Sequence, residues 1–270
     1  MSEAASERKT RLNGLLFVLT VLTVWIAGLL WSTGFARFDA PPAANLGALL
    51  VRALRDTGLY PMAALYAVVL MTILVGHELG HYLTCRRYGL PATLPYFLPG
   101  PPFLGTFGAF IRIKTHIPFR RQVFDVGVNG PLAGFALTVP MLALGMSLSK
   151  IIPFVHPEEG LSFGEPLLFR LMSRLFFGRI PEGSVLNLHP IAWAGWVGLL
   201  VTALNLIPLG QLDGGHIAYA LLGRRARLLS RVMLGLLVVL GVIFFMTWLI
   251  LAIVFLVLAL KSRRPLDHPR

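Results

Sequence analysis

Residues 13–32, NGLLFVLTVLTVWIAGLLWS, stay apolar for the length of chain that crosses a bilayer as one helix, about 20 residues. Further apolar runs lie at 61–84, 123–148, 190–209 and 232–260. Only 13% of the residues are charged, against about 25% in soluble domains, so much of the surface does not meet water. A cleaved secretory signal is the rival reading of the first run, with Arg8, Lys9 and Arg11 as its basic region and Gly34-Phe35-Ala36 as its cleavage site. The apolar run is longer than such signals carry, which favours an uncleaved first helix.

The formal net charge of +12 raises the question of nucleic acid, but the distribution argues against that partner. The basic residues gather just outside the apolar runs, at Arg8-Lys9-Arg11, Arg86-Arg87, Arg120-Arg121, Arg224-Arg225-Arg227-Arg231 and Lys261-Arg263-Arg264. Lys and Arg resist translocation, so these clusters mark the cytoplasmic side, and the partner they imply is a lipid bilayer. No module combining basic and aromatic residues for nucleic acid is visible. With Cys85 the single cysteine, no intrachain disulfide can form.

Between the runs the chain changes character. Residues 41–59 form an external connection whose leucines, 46, 49, 50 and 54, recur at helical spacing. Residues 91–118 hold six prolines and Gly100, Gly105 and Gly108, which excludes a continuous helix. Phe103–Lys114 within them has β character, and the stretch reads as a re-entrant hairpin; such backbone is tolerated at membrane depth only against protein or a wet cavity. The acidic loop 150–189 returns outside, and its segment 166–177 is amphipathic, with Leu167, Leu168, Leu171, Leu175 and Phe176 opposite Arg170 and Arg174, as suits a helix lying on the bilayer. In 232–260 the charge rule favours two short helices turning near Met246-Thr247, which returns Lys261 to the cytoplasm. The expected fold is an all-α polytopic membrane protein. It is one integral membrane domain over residues 1–270, with about six transmembrane segments, both ends cytoplasmic, and a membrane-dipping β-hairpin.

Within the second run stands Gly76-His77-Glu78-Leu79-Gly80-His81. On a helix, positions four apart share one face, so His77 and His81 can share one metal ion. Zinc takes nitrogen and oxygen ligands in a tetrahedron, and a catalytic site keeps one position for water. Glu78 adjoins the first histidine and can take that water's proton as it attacks a carbonyl. A histidine pair tying helices together is the bland alternative, and it leaves the adjacent glutamate unexplained. A third ligand is needed. Asp213, after an apolar run and before Gly214-Gly215, is the best acidic residue; Asp125 is the rival, and its neighbours Arg120 and Arg121 make ion pairing its simpler role.

These motifs, with Asn129-Gly130-Pro131 and Asn205-Leu206-Ile207-Pro208-Leu209-Gly210-Gln211-Leu212-Asp213-Gly214-Gly215, resemble the site-2 protease family of intramembrane zinc metalloproteases. The resemblance covers roughly residues 60–223. It is nearest to the short bacterial and plastid-type members, through Gly105-Thr106-Phe107-Gly108-Ala109-Phe110 and Leu188-His189-Pro190. It implies that His77, His81 and Asp213 bind Zn2+, that Glu78 is the base and later the proton donor, and that Asn205 steadies the substrate carbonyl or oxyanion. It also implies a catalytic core over 60–223 and a membrane-protein substrate with a transmembrane helix. Asn129 reads instead as packing beside Pro131. The chain shows neither the PDZ insert nor the nucleotide-sensing domain of some members, so their regulation does not transfer.

A transmembrane helix must unwind before it can be hydrolysed, and an extended substrate strand can pair with a sheet edge. The hairpin over 103–115 is the expected edge, with Thr106, Phe107, Gly108 and Ala109 as its substrate-binding residues. His216 reads equally as a residue behind Asp213 or as a cap; Cys85, on the stripe of His81, is disfavoured as a fourth ligand because it would close the water position. Gly76/Gly80, Gly130/Gly134 and Gly210/Gly214 read as small-residue pairs for close helix packing. Two other function classes stay open: a transporter or channel using the buried His and Asp, and a pseudoprotease that binds membrane helices without cutting. The lack of a transit peptide favours a bacterial inner membrane, with the site towards the cytoplasm.

Overall fold

The computed structural model describes residues 3–41, 43–153, 164–210, 212–243, 252, 253 and 256, with side chains from residue 11 onward. The chain is mostly helical: α1 is Glu3–Ala36, α2 Leu46–Arg55, α3 Tyr60–Arg87, α4 Arg120–Leu148, α5 Leu167–Phe177, α6 Pro190–Asn205, α7 Asp213–Leu222 and α8 Ala226–Ile243. Among the described residues four antiparallel strands accompany them: β1 (Tyr96–Pro99) pairs with β2 (Thr106–Phe110), and β3 (Lys150–Pro153) pairs with β4 (Ser184–Asn187).

Among the described residues, four helical stretches are long and apolar enough to cross a membrane: Arg11–Ala36, Thr57–Arg87, Arg120–Leu148 and Asp213–Ile243. The protein is therefore a multi-pass membrane protein. α6 has 16 residues, about 24 Å of helix, which is less than a hydrocarbon core of about 30 Å. The basic segment at 224–231, expected to be a cytoplasmic connection, is largely helical: Arg227 and Arg231 lie in the first turns of α8. The hairpin turn expected near Met246-Thr247, and the Lys261 cluster, lie outside the described residues, as do Gln211, His156 and His268.

The chain divides into two compact units. The first combines residues 1–75, 94–110 and 135–200. Its core includes Leu29, Tyr66, Leu70, Ile73, Leu142, Met146 and Val197. Helices approach where a side chain is missing: Gly28 lies against Ala63 and Tyr66, and Gly195 against Leu142. α1 carries the β1–β2 hairpin. Thr23 Oγ1 donates to the Gly105 carbonyl at 2.6 Å and Trp31 Nε1 to the Phe103 carbonyl at 2.9 Å, while Phe17 meets Phe97 edge to face. Polar side chains of a helix thus satisfy turn carbonyls that hydrocarbon could not. Gly105 is required there, with φ +81° and its Cα side against the Val24 backbone.

The sequence placed β structure over Phe103–Lys114. β2 falls in that stretch, but its partner β1 lies upstream of it, with the register Tyr96↔Phe110 to Pro99↔Thr106. The prolines 99, 101 and 102 punctuate the turn rather than exclude a strand before it. The β3–β4 pair was not anticipated; its strands are four residues each and lie 30 residues apart in sequence, too short to show a period. α5 matches the amphipathic segment: Leu167, Leu171 and Leu175 are 84%, 64% and 78% exposed, and the inward anchor is Phe169.

The second unit comprises residues 76–93, 111–134 and 201–270. Its core gathers Cys85, Leu90, Ile117, Val123, Val126, Ala218 and Tyr219. The opening half of α4 is its central plank. Gly80 of α3 rests on the Asn129 backbone, and Gly127 faces Ile217 and His216 of α7. Gly214 and Gly215 let the start of α7 press on the backbone of Leu206 and Gly210, where any Cβ would overlap a carbonyl. α7 ends at Gly223, with φ +56°.

Candidate metal centre

The last turns of α3 present His77, Glu78 and His81, and the first residue of α7 presents Asp213. All three candidate ligands are withdrawn from solvent, with side chains 4%, 8% and 17% exposed for His77, His81 and Asp213. His77 Nε2 lies 3.1 Å from Asp213 Oδ2, His81 Nε2 3.3 Å from Asp213 Oδ1, and the two Nε2 atoms 3.2 Å apart. Ligand atoms about 2.0 Å from a tetrahedral zinc ion stand roughly 3.3 Å from one another. The separation of the two Nε2 atoms matches such an edge, each histidine stands at that distance from one of the two Asp213 oxygens, and one ligand atom from each residue lies within 4.8 Å of the others, so the donor set fits a zinc-like ion by element and by proximity. Among the described residues these three are the group of His, Cys, Asp and Glu side chains able to hold a metal.

The imidazoles are held from behind. His81 Nδ1 donates to the Val126 carbonyl at 2.6 Å, which leaves the Nε2 lone pair facing Asp213. Gly130 lies against the ring of His81: a methyl there would overlap Nε2, Cε1 and Cδ2. A Cβ at Gly134 would lie 3.1 Å from His77 Nδ1. The Gly130/Gly134 pair, read from sequence as a helix contact, is thus a seat for the two imidazoles.

Glu78 is 3% exposed and its Oε2 has no hydrogen-bond partner among the described residues. A buried polar atom left unpaired costs about 1–3 kcal/mol, more when charged. That orphan acceptor beside the ligand cluster suits a water or a substrate group. Asn205, the last residue of α6, brings its amide nitrogen to 3.5 Å from His77 Nε2. Glu78 and Asn205 therefore border the donor atoms without joining them.

The remaining candidates separate cleanly. Asp125 accepts from the Tyr88 hydroxyl and stands 4.0 Å from Arg121, away from the ligands. Cys85 is buried among Leu90, Ile117 and Val123. His216 Nδ1 bonds the Leu212 carbonyl of its own helix at 3.0 Å rather than Asp213. In the hairpin, Thr106 is buried, and its hydroxyl donates to the Leu98 carbonyl at 2.9 Å and accepts from the Gly108 amide at 2.9 Å. Phe107 is 72% exposed, Gly108 has φ +100°, and Ala109 pairs with Phe97. Sequence reasoning missed the Val126 carbonyl, which as a backbone group leaves no mark in side-chain motifs.

Comparison with known proteins agrees with this geometry. The chain is 38% identical over 167 residues to the probable zinc metalloprotease EGY2, chloroplastic, of Oryza sativa subsp. japonica, covering 59% of this chain and 29% of that protein. It is 38% identical over 189 residues to the probable zinc metalloprotease EGY1, chloroplastic, of Arabidopsis thaliana, covering 66% of this chain and 34% of that one. The chain thus spans about a third or less of the length of these relatives. The profile of peptidase family M50 matches residues 65–248, a stretch that holds the HExxH pair, Asn205 and Asp213 and exceeds half the sequence. The chain belongs to peptidase family M50.

Proposed function

We propose that the protein is an intramembrane zinc metalloprotease that hydrolyses peptide bonds in or near transmembrane segments of membrane-protein substrates. The observation that carries this reading is the cluster of His77, His81 and Asp213, with ligand atoms within 4.8 Å of one another, beside the buried carboxylate oxygen of Glu78 that has no hydrogen-bond partner among the described residues. His77, His81 and Asp213 would hold the ion. An ion held there would supply Lewis-acid chemistry to the scissile carbonyl and to the attacking water. Glu78 accepts the proton of the attacking water and returns it to the leaving amine. The Asn205 amide donates a hydrogen bond where charge develops on the substrate carbonyl. A transporter needs no such acceptor, and no observation favours it.

The β1–β2 hairpin supports presentation of an unwound substrate. Among the described residues its two strands form a sheet only with each other, and Phe107 offers an apolar side chain on β2. An extended segment adding to that edge places Thr106, Phe107, Gly108 and Ala109 along the substrate backbone. The hairpin dips into the bilayer, and six segments cross it, with a catalytic core over 60–223 and an external loop at 150–189.

Metal analysis of purified protein is expected to give one zinc per chain, falling to background in His77→Ala and Asp213→Ala. Both variants should also fail to cut a single-span substrate. Full zinc occupancy in Asp213→Ala would remove that residue from the site.

The site lies towards the cytoplasmic face of what we take to be a bacterial inner membrane. His81 precedes Arg86 and Arg87, the basic last turn of α3, and Asp213 precedes the arginines at 224–231. In a Cys85→Ala background, cysteines near 86 and 225 are expected to react with a probe only from the cytoplasm, and cysteines near 160 only from outside. External labelling of both basic segments would invert the topology.

A further inference from the structure

On the α3 face turned to α4, a polar ladder flanks the ligands. Thr84 Oγ1 donates to the Gly80 carbonyl at 2.8 Å, so its one proton is used and it can only accept from Asn129 Nδ2, which lies 2.9 Å away. One turn further on, the Tyr88 hydroxyl donates to Asp125. On α4 the Val126 carbonyl that accepts from His81 Nδ1 lies between Asp125 and Asn129, while on α3 His81 stands three residues before Thr84. Gly80 rests directly on the Asn129 backbone, so a shift of α4 along α3 meets a close backbone contact at Gly80 and, on its C-terminal side along α3, hydrogen bonds at His81, Thr84 and Tyr88.

We propose that Asn129, acting through Thr84, is a positioning residue for the metal centre. It fixes the register of α4 on α3 so that the Val126 carbonyl stays on His81 Nδ1 and the Nε2 lone pair stays aimed at the ion. The proposal rests on the reading that His81 is a zinc ligand. Its chemistry is that of a metal-bound imidazole: the group bonded to the far nitrogen sets tautomer and ring direction, and disturbing it lowers metal affinity about 10–100-fold. Helix gluing alone would be a different role. Asn129 is an exposed residue, and its part-buried bond to Thr84 is the contact that the variants below separate from packing.

The test uses the full chain in lipid nanodiscs. Zinc release to an excess of chelator, the visible spectrum of the cobalt-substituted protein and the melting temperature are measured for wild type, Thr84→Val, Thr84→Ser and Asn129→Ala. Thr84→Val keeps size and shape but cannot accept from Asn129; Thr84→Ser keeps the hydroxyl. The expected result is zinc release about tenfold faster or more in Thr84→Val and in Asn129→Ala, with a changed cobalt spectrum. Thr84→Ser should restore both readouts to wild type. Either of the two disrupting variants decides the matter alone. Unchanged release and spectrum in a folded Thr84→Val or Asn129→Ala would overturn the proposal and leave the zinc site standing. Failure of wild-type protein to hold zinc or cobalt at all would overturn the zinc reading and this proposal with it.

Discussion

Replacing Gly130 with alanine is expected to empty the metal site while the protein stays folded in the membrane. The added methyl would occupy the space of the His81 ring, overlapping Nε2, Cε1 and Cδ2. The ring cannot simply swing aside. Its Nδ1 is bonded to the Val126 carbonyl at 2.6 Å, and the α3 backbone beneath it is seated on Asn129 through Gly80. Either the Val126 bond breaks or the two helices separate, and each turns Nε2 away from Asp213. Losing the orienting bond alone lowers metal affinity about 10–100-fold, and displacing the donor nitrogen adds to that. Zinc per chain should therefore fall at least tenfold. Gly134→Ala, whose Cβ would lie 3.1 Å from His77 Nδ1, should show a weaker loss. Gly14→Ala, with open space around it, should show none. Full zinc content in Gly130→Ala would mean that His81 does not sit where this structure places it.

The long apolar runs mark the helices because hydrocarbon admits few alternatives: α1, α3 and α4 lie where the runs at 13–32, 61–84 and 123–148 predict them. The HExxH pair shows itself because two histidines four apart on a helix share a face whatever surrounds them. Asp213 needed a different argument, since 136 residues separate it from His77 and only the fold brings them to 3.1 Å. Its glycine neighbours gave the hint, as backbone packing at Leu206 and Gly210 demands them. The hairpin region 91–118 holds both strands, but the sequence shows β character only over Phe103–Lys114, and β1 before it ends on Pro99, a residue tolerated at the end of a strand. The purpose of Gly130 was invisible for another reason. A glycine in an apolar helix signals close approach but not what approaches, and here it is an imidazole rather than a helix backbone.

Glu78→Gln is expected to retain zinc and abolish cleavage. Glutamine has nearly the size of glutamate and still hydrogen-bonds, so α3 should keep its place, with His77 and His81 on their shared face. The amide cannot accept the proton of an attacking water. General base catalysis contributes about 10²–10⁴-fold, so turnover should fall by that order or more with metal content unchanged. In a transporter no bond breaks, and a residue whose Oε2 pairs with nothing could be neutralised with little effect on passage. A pseudoprotease would show no product before or after the change.

The most direct measurement is cleavage of a single-span membrane substrate by purified wild-type and Glu78→Gln protein, with zinc quantified in both. The account predicts product from wild type, at least a hundredfold less from Glu78→Gln, and the same zinc per chain in each. Equal product from the two proteins at equal zinc would contradict it.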